Sequence, residues 1–157
     1  MSVDLKREVL RHMVATVAYR GGVAVVDAPA SFATFRAAET TRTPGELLAH
    51  IHDLLRGSLH LLKGEMVYLT SEPLPWNEEV ARFFSAANEL DAFLASDAPL
   101  ALPVERLVQG PVGDALTHVG QIAMLRRMAG IPISPGSYFT AEIVPGAVHE
   151  ETFTKSE

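Results

Sequence analysis

Apolar residues return at steps of three and four along most of this chain, which is the spacing of one face of an α-helix. The third such segment shows the pattern plainly, since its apolar positions form one stripe: Val80, Phe83, Phe84, Ala87, Leu90 and Leu94. The spacing predicts four helices, at about residues 3–26, 44–63, 77–96 and 111–129. Four helices in 157 residues predict an all-α protein, a four-helix bundle that forms one domain from residue 1 to residue 157.

Short polar residues, prolines and glycines mark the ends of the predicted helices. Thr43, Pro44 and Glu46 form the pattern of a capping box with a proline in the first turn of the second helix. Gly64 and Gly130 are typical of the stops that follow the second and fourth helices. The boundaries of these two helices are therefore marked by local chemistry as well as by periodicity.

Two long segments lack a helical period. Residues 27–43 are irregular and long enough to cross over one end of a bundle. Residues 131–157 contain two breaks of proline and glycine and form an irregular C-terminal tail. We expect this tail to pack over the bundle surface and to fray beyond His149.

The fourth predicted helix carries polar side chains inside its apolar stripe. At about 100° per residue, Asp114 and His118 fall at the centre of the stripe with Ile122 and Leu125, and Gln121 falls beside them. An unpaired carboxylate at such a buried position is costly, so Asp114 must be neutralised, paired or bound to a cation. Residues four apart on a helix meet, which predicts contact between Asp114 and His118.

The second predicted helix offers histidines on different faces. His50 lies at one edge of the apolar arc and His52 at the other, roughly 160° away, so the two cannot serve one site. His60 falls near Asp53 on the polar face, which predicts a solvated side chain. We take His50 as the histidine that faces the polar residues of the fourth helix.

Helical bundles build metal sites from inward-facing side chains of neighbouring helices. The sequence predicts a divalent metal site of His50, Asp114 and His118, with Gln121 as a residue that orients a ligand or a bound water. Two imidazoles and one carboxylate leave coordination positions open, which suits Zn²⁺, Fe²⁺, Mn²⁺ or Ni²⁺. Two other interpretations stay open: Asp114 is an acid favoured by the helix dipole, or it bonds His118 without a metal.

Composition narrows the classes of partner. The formal charge is −6, with 13 basic against 19 acidic residues, so we expect no nucleic-acid partner. The chain has no cysteine, which excludes disulfides, thiolate ligands and a cysteine nucleophile. The N-terminus lacks the apolar core of a signal peptide and no apolar run has the length of a membrane span, which predicts a cytoplasmic protein that does not bind a membrane.

Three stretches carry a resemblance to a known family: "TPGELLAHIHDLL", "LPWNEEVARFFSAANELDAFL" and "DALTHVGQIAMLRRMAGIPI". In this order, over roughly residues 44–132, they resemble the DinB-like or YfiT-like superfamily of metal-dependent enzymes. That superfamily carries one histidine on the second helix and two histidines four apart on the fourth, followed by Gly-Gln. His50, His118 and Gly120-Gln121 match this pattern, and Asp114 stands where the other histidine usually is.

The resemblance implies a bundle of up-down-down-up type, frequently a homodimer, with a divalent ion in its core. Characterised members include S-transferases and isomerases that use a low-molecular-weight thiol, bacillithiol or mycothiol. We therefore expect a metal-dependent thiol S-transferase or hydrolase, in which the ion activates a thiol or water nucleophile toward a small electrophile. The alternative is a non-catalytic bundle, with or without metal, that acts as a stress-related binding or oligomerisation protein.

Overall fold

The computed structural model describes residues 4–154 and is all-helical, with no strand in that range. Its α-helices are α1 (Leu5–Val25), α2 (Pro44–Leu62), α3 (Trp76–Ala95), α4 (Val104–Leu107) and α5 (Gly113–Met128). The four long helices begin and end within two residues of the predicted bounds, which confirms the all-α bundle. The sequence did not predict α4, nor the π-helical turn Val108–Val112 that joins it to α5. Residues 1–3 and 155–157, which include the predicted start of the first helix, lie outside the described residues.

Contacts with α1 fix the directions of α3 and α5. Arg11 near the start of α1 pairs with Asp91 near the end of α3, at 3.0 Å, so these two helices run antiparallel. Arg126 in the last turn of α5 donates to the carbonyl oxygen of Ala24 at the end of α1. Because the C-terminal ends of both helices lie at the same end of the bundle, α5 runs parallel to α1.

Contacts at both ends of α2 and α3 show that these helices run parallel to each other. Phe32, which precedes α2, lies edge-on to Trp76 at the start of α3. At the other end, the carbonyl oxygen of Leu62 accepts a bond of 2.9 Å from the backbone of Ala101, which follows α3. The bundle is therefore of up-down-down-up type, and α2 lies between α3 and α5 as their packing neighbour.

The predicted signals at the ends of α2 and α5 are confirmed. Thr43 accepts from the backbone of Glu46, and the Glu46 carboxylate accepts from the backbone of Thr43, which is a complete capping box. Gly64 and Gly130 have φ of 80° and 77°, a conformation that side chains with a Cβ rarely adopt. The backbone N–H of each glycine donates a hydrogen bond to a carbonyl oxygen of the last helical turn. Both helices therefore end where the glycines predict.

The buried face of α5 is rotated from the predicted one. The residues that α5 buries are Ala115, Val119, Ile122, Leu125 and Arg126. This stripe is centred about one residue later than the predicted stripe, so Asp114 and His118 lie at its edge and the Asp114 side chain is 48% exposed. The prediction that Asp114 and His118 are central to a buried stripe is wrong, because Ala115, Val119 and the charged Arg126 also face the core.

The tail is irregular, as predicted, but it is anchored further than expected. Val148 is buried, and residues 150–152 form a 3₁₀ turn. Phe153 then lies against the Tyr19 ring, with centroids 5.4 Å apart, and over Gly22 of α1. Fraying from His149 onward is therefore wrong for residues 150–154.

None of the helices within residues 4–154 combines the length and the apolar character that crossing a membrane requires.

Candidate metal centre

Antiparallel neighbours α2 and α5 supply the three predicted ligands. His50 lies in the second turn of α2, and Asp114 and His118 lie in the first half of α5. Asp114 Oδ2 is 3.5 Å from His50 Nε2, and Asp114 Oδ1 is 3.3 Å from His118 Nε2. The carboxylate thus lies between the two imidazoles, whose ring centroids are 4.8 Å apart.

The spacing of these groups fits one ion. Each residue offers a ligand atom, and the three atoms lie within 4.8 Å of one another. Tetrahedral ligands about 2.0–2.1 Å from a zinc ion are about 3.4 Å apart, close to the two nitrogen–oxygen distances observed here. His50, Asp114 and His118 could therefore hold a metal ion once the most widely separated ligand atoms move closer together.

Gln121 sets the orientation of the His118 ring. Its Oε1 lies 3.1 Å from His118 Nδ1, and in the tautomer with the hydrogen on Nδ1 the ring donates to this amide oxygen. The lone pair of His118 Nε2 is then directed at the Asp114 carboxylate, which is also an acceptor. In this tautomer the imidazole nitrogen and the carboxylate can both act as ligands to one ion.

The centre is open on one side. His118 is the most enclosed of the three, with 13% of its side chain exposed, whereas His50 and Asp114 are 34% and 48% exposed. Closed structural metal sites bury a full set of protein ligands, while catalytic sites leave a coordination position for water or substrate. A centre of three ligands with these exposures has room for such a coordination position.

The other histidines of α2 lie outside this centre. His52 faces the opposite side of α2, as predicted, and its Nδ1 is 3.1 Å from Asp53 Oδ1. Burial lowers the pKa of His52, and the nearby Arg82 guanidinium lowers it further. His60 lies beside the Glu65 carboxylate, and this hydrogen bond lowers the pKa of Glu65.

Asp53 is buried. The prediction that it lies on a polar face of the second helix is wrong. Its carboxylate accepts from the backbone of Ser71 at 2.8 Å and from the Ser71 hydroxyl at 2.6 Å. These bonds fix the segment that joins α2 to α3 against the side of α2. Sequence reasoning missed this role because the partner lies in a loop of irregular composition.

Two depressions flank the centre. A cleft of about 380 Å³, here called the α2 cleft, has His50 in its wall together with Arg42, Asp53, Tyr68, Ser71 and Pro111. A second depression of about 400 Å³, here called the methionine groove, is lined by Arg42, Leu47, Gln121, Met124, Leu125 and Met128. The first space includes a candidate ligand, His50, and the second includes Gln121, which contacts His118; both have the size of a small-molecule site. The sequence held no signal for either, because both depend on where the loops lie.

Comparison of the chain with protein-family models, with curated proteins and with solved structures finds no significant match in any of the three. The resemblance to the DinB-like superfamily therefore stays a prediction.

Proposed function

We propose that this protein is a divalent-metal-dependent enzyme of DinB-like type. In this proposal, the ion bound by His50, Asp114 and His118 activates a thiol or water nucleophile for transfer to, or hydrolysis of, a small electrophile. The observation that carries the proposal is the convergence of two imidazole nitrogens on one half-exposed carboxylate, at 3.3 and 3.5 Å, beside open clefts.

The order of features along the chain supports the DinB-like assignment. The up-down-down-up bundle, the histidine on α2 and the Gly120-Gln121 pair after His118 occur in the arrangement that the resemblance implies. Asp114 replaces a histidine with a harder ligand, so the site would hold Mn²⁺ or Fe²⁺ relatively better than an all-imidazole site, alongside Zn²⁺ and Ni²⁺.

The residues of the site have distinct tasks. A divalent ion supplies one kind of chemistry there, which is to lower the pKa of a thiol or water in an open position. Gln121 holds the His118 ring with Nε2 turned toward the centre. Asp114 brings the negative charge that favours a cation, and His50 connects the centre to the α2 cleft, where a small substrate or a low-molecular-weight thiol has room to bind.

Metal content tests the ligand assignment. Protein purified without a histidine tag, incubated in turn with Zn²⁺, Mn²⁺, Fe²⁺ and Ni²⁺ and then desalted, should retain close to one equivalent of one of them by elemental analysis. His118→Ala should lose that metal, whereas His12→Ala, which removes an exposed histidine of α1, should keep it. Retention below roughly a tenth of an equivalent for every ion would remove the enzyme proposal.

Activity tests the chemistry. The metal-loaded protein should consume small electrophiles in the presence of a thiol or of water alone, and His118→Ala should lose this activity while His12→Ala retains it. Comparing bacillithiol, mycothiol and glutathione with water separates a transferase from a hydrolase. Equal activity in His118→Ala and the unchanged protein would place the reaction elsewhere.

The second candidate is a metal-free or non-catalytic binding protein. It is favoured by the position of Asp114, since a proton between its carboxylate and either imidazole satisfies the same groups as an ion. Absence of retained metal excludes the first candidate, and the activity measurement separates an enzyme from a protein that binds metal without catalysis.

A further inference from the structure

The methionine groove lies next to the candidate metal centre and differs from the α2 cleft in chemistry. Leu47 and Leu125 form buried apolar parts of its wall, and Met124 and Met128 are 59% and 57% exposed. Gln121 belongs to the same wall, and its amide contacts His118 of the centre. The groove therefore offers an apolar surface that is connected to the candidate centre through Gln121.

Exposed methionines suit the binding of varied apolar groups. Their side chains are unbranched and polarisable, so they adapt to the shape of what they cover. From Gln121 to Met128 the axis of α5 rises by about 10 Å, the scale of a small ligand rather than of a protein interface. A groove of about 400 Å³ also falls within the size range of small-molecule sites.

Arg42 adds a charge to this apolar surface. Arg42 is an exposed residue that lines both the methionine groove and the α2 cleft, and its side chain forms no hydrogen bond or ion pair with any of residues 4–154. The neighbouring Arg36, by contrast, pairs with Glu46 at 3.4 Å. An uncompensated guanidinium beside an apolar surface is complementary to a molecule with a carboxylate or similar anion next to an apolar body.

We propose that the substrate of this site is a small amphiphilic anion, an alkyl or aryl carboxylate, whose apolar part lies in the methionine groove and whose anionic group binds Arg42. This assignment rests on the proposed function and names the substrate class for it. It also assigns a role to three residues outside the candidate metal centre: Arg42 selects for charge, and Met124 and Met128 select for apolar surface.

Calorimetric titration of the full chain with octanoate, with octanol and with octylammonium tests the assignment. Octanoate should bind saturably with one site per chain, and octylammonium should not. Arg42→Gln should weaken octanoate binding about tenfold and leave octanol binding unchanged, because the lost interaction is a charge-assisted hydrogen bond. Met128→Gln should weaken the binding of both octanoate and octanol.

Arg106→Gln and Met66→Gln are the matched controls, since each removes an exposed side chain of the same type at a distance from the groove. Both should bind octanoate as the unchanged protein does. Absence of saturable octanoate binding, or equal binding by Arg42→Gln, would overturn the proposal. So would sedimentation showing a dimer that Met128→Gln dissociates, because a second copy would then cover the groove.

Metal content measured on the same samples keeps the two proposals apart. Suppose that the protein retains no metal but still binds octanoate, and that Arg42→Gln weakens this binding. The enzyme proposal is then contradicted, while the assignment of the groove to small amphiphilic anions is supported. Retained metal without octanoate binding overturns the substrate class alone.

Discussion

Arg126 joins three separate parts of the chain through one buried side chain. Only 3% of the residue is exposed, and its guanidinium donates to the carbonyl oxygens of Ile131 at 2.8 Å and Ala24 at 3.2 Å and to the Asp27 carboxylate. These bonds tie the ends of α1 and α5 to the start of the tail. Removing the donor leaves the buried carbonyl of Ala24 and the part-buried carbonyl of Ile131 without this partner, and a buried group left unsatisfied costs about 1–3 kcal/mol.

We expect Arg126→Met to lower the free energy of unfolding by about 2–4 kcal/mol, since the methionine keeps apolar volume but donates nothing. Urea denaturation measures the change. Arg127→Met, at the adjacent exposed position, should stay within about 0.5 kcal/mol of the unchanged protein. Similar losses in both variants would show that the buried bonds of Arg126 are not the cause.

Arg126 and Asp53 also show what a sequence leaves open at the scale of residues. The charge of each side chain is visible in the sequence, and charged residues are usually exposed, so Asp53 was placed on a polar face and no pattern indicated that Arg126 would be buried. Their partners are backbone groups and a serine in irregular segments, at Ile131, Ala24 and Ser71. No local spacing relates these positions, and only the folded path of the loops brings them together.

At the scale of elements, two consecutive glycines let aromatic rings approach α1 closely. A Cβ at Gly21 would lie 2.5 Å from Cζ of Phe83, whose side chain is fully buried and has no space to move away. Gly57 of α2, by contrast, has no atom within 4 Å of the position that a Cβ would take. The same substitution should therefore have opposite effects in the two helices.

Gly21→Ala should destabilise the protein by about 1–2 kcal/mol, because overpacking exceeds the gain in helix propensity. Gly57→Ala should stabilise it by about 0.5–1 kcal/mol, because only the propensity changes. Both values follow from thermal or urea unfolding of the two single variants. A gain in stability from Gly21→Ala would mean that α1 and α3 are packed less closely at Phe83 than observed.

The capping box of α2 makes stability depend on pH. The backbone N–H of Thr43 bonds to the Glu46 carboxylate at 2.7 Å, and this bond, together with the Thr43 hydroxyl and Arg36, lowers the pKa of Glu46 from 4.5. A carboxylate with a lowered pKa in the folded state stabilises the protein above its unfolded pKa. That contribution is lost as the pH falls through the folded pKa.

We therefore expect the free energy of unfolding to fall as the pH is lowered from about 5 to about 3, and to fall less steeply in Glu46→Gln. Denaturant titrations at a series of pH values measure both slopes. Glu65 and Glu105, whose pKa values are also lowered, are present in both proteins and cancel in the comparison. Parallel slopes would show that the cap contributes no pH dependence.

Helix ends such as the capped start of α2 are the features that the sequence specifies best, because a cap involves residues only three positions apart. The rotation of α5 about its axis was predicted less well. Which side of α5 faces the core depends on α1 and α2, and the small residues Ala115 and Val119 count toward the buried face as much as larger ones. His50 and His118 were still placed correctly on facing sides, because a displacement of one residue keeps His118 at the edge of the interface.

At the scale of the whole molecule, the candidate metal centre links α2 to α5, two helices that are distant in the sequence. An ion that binds only the folded chain stabilises the folded state by mass action, by about 2.7 kcal/mol when its concentration is one hundred times its Kd. For a chain of 157 residues this corresponds to a rise in Tm of roughly 5–10 °C. The increase should continue with ion concentration, unlike the effect of a salt that only screens charge.

We expect thermal unfolding scans at increasing Zn²⁺ or Mn²⁺ to show this rise in the unchanged protein and in His12→Ala, and to show none in His118→Ala. His118→Ala keeps five of the six histidines, so binding of the ion to unfolded chains is nearly the same in all three proteins. An equal rise in His118→Ala would place the ion at another site. No rise in any of the three would contradict the metal site of His50, Asp114 and His118.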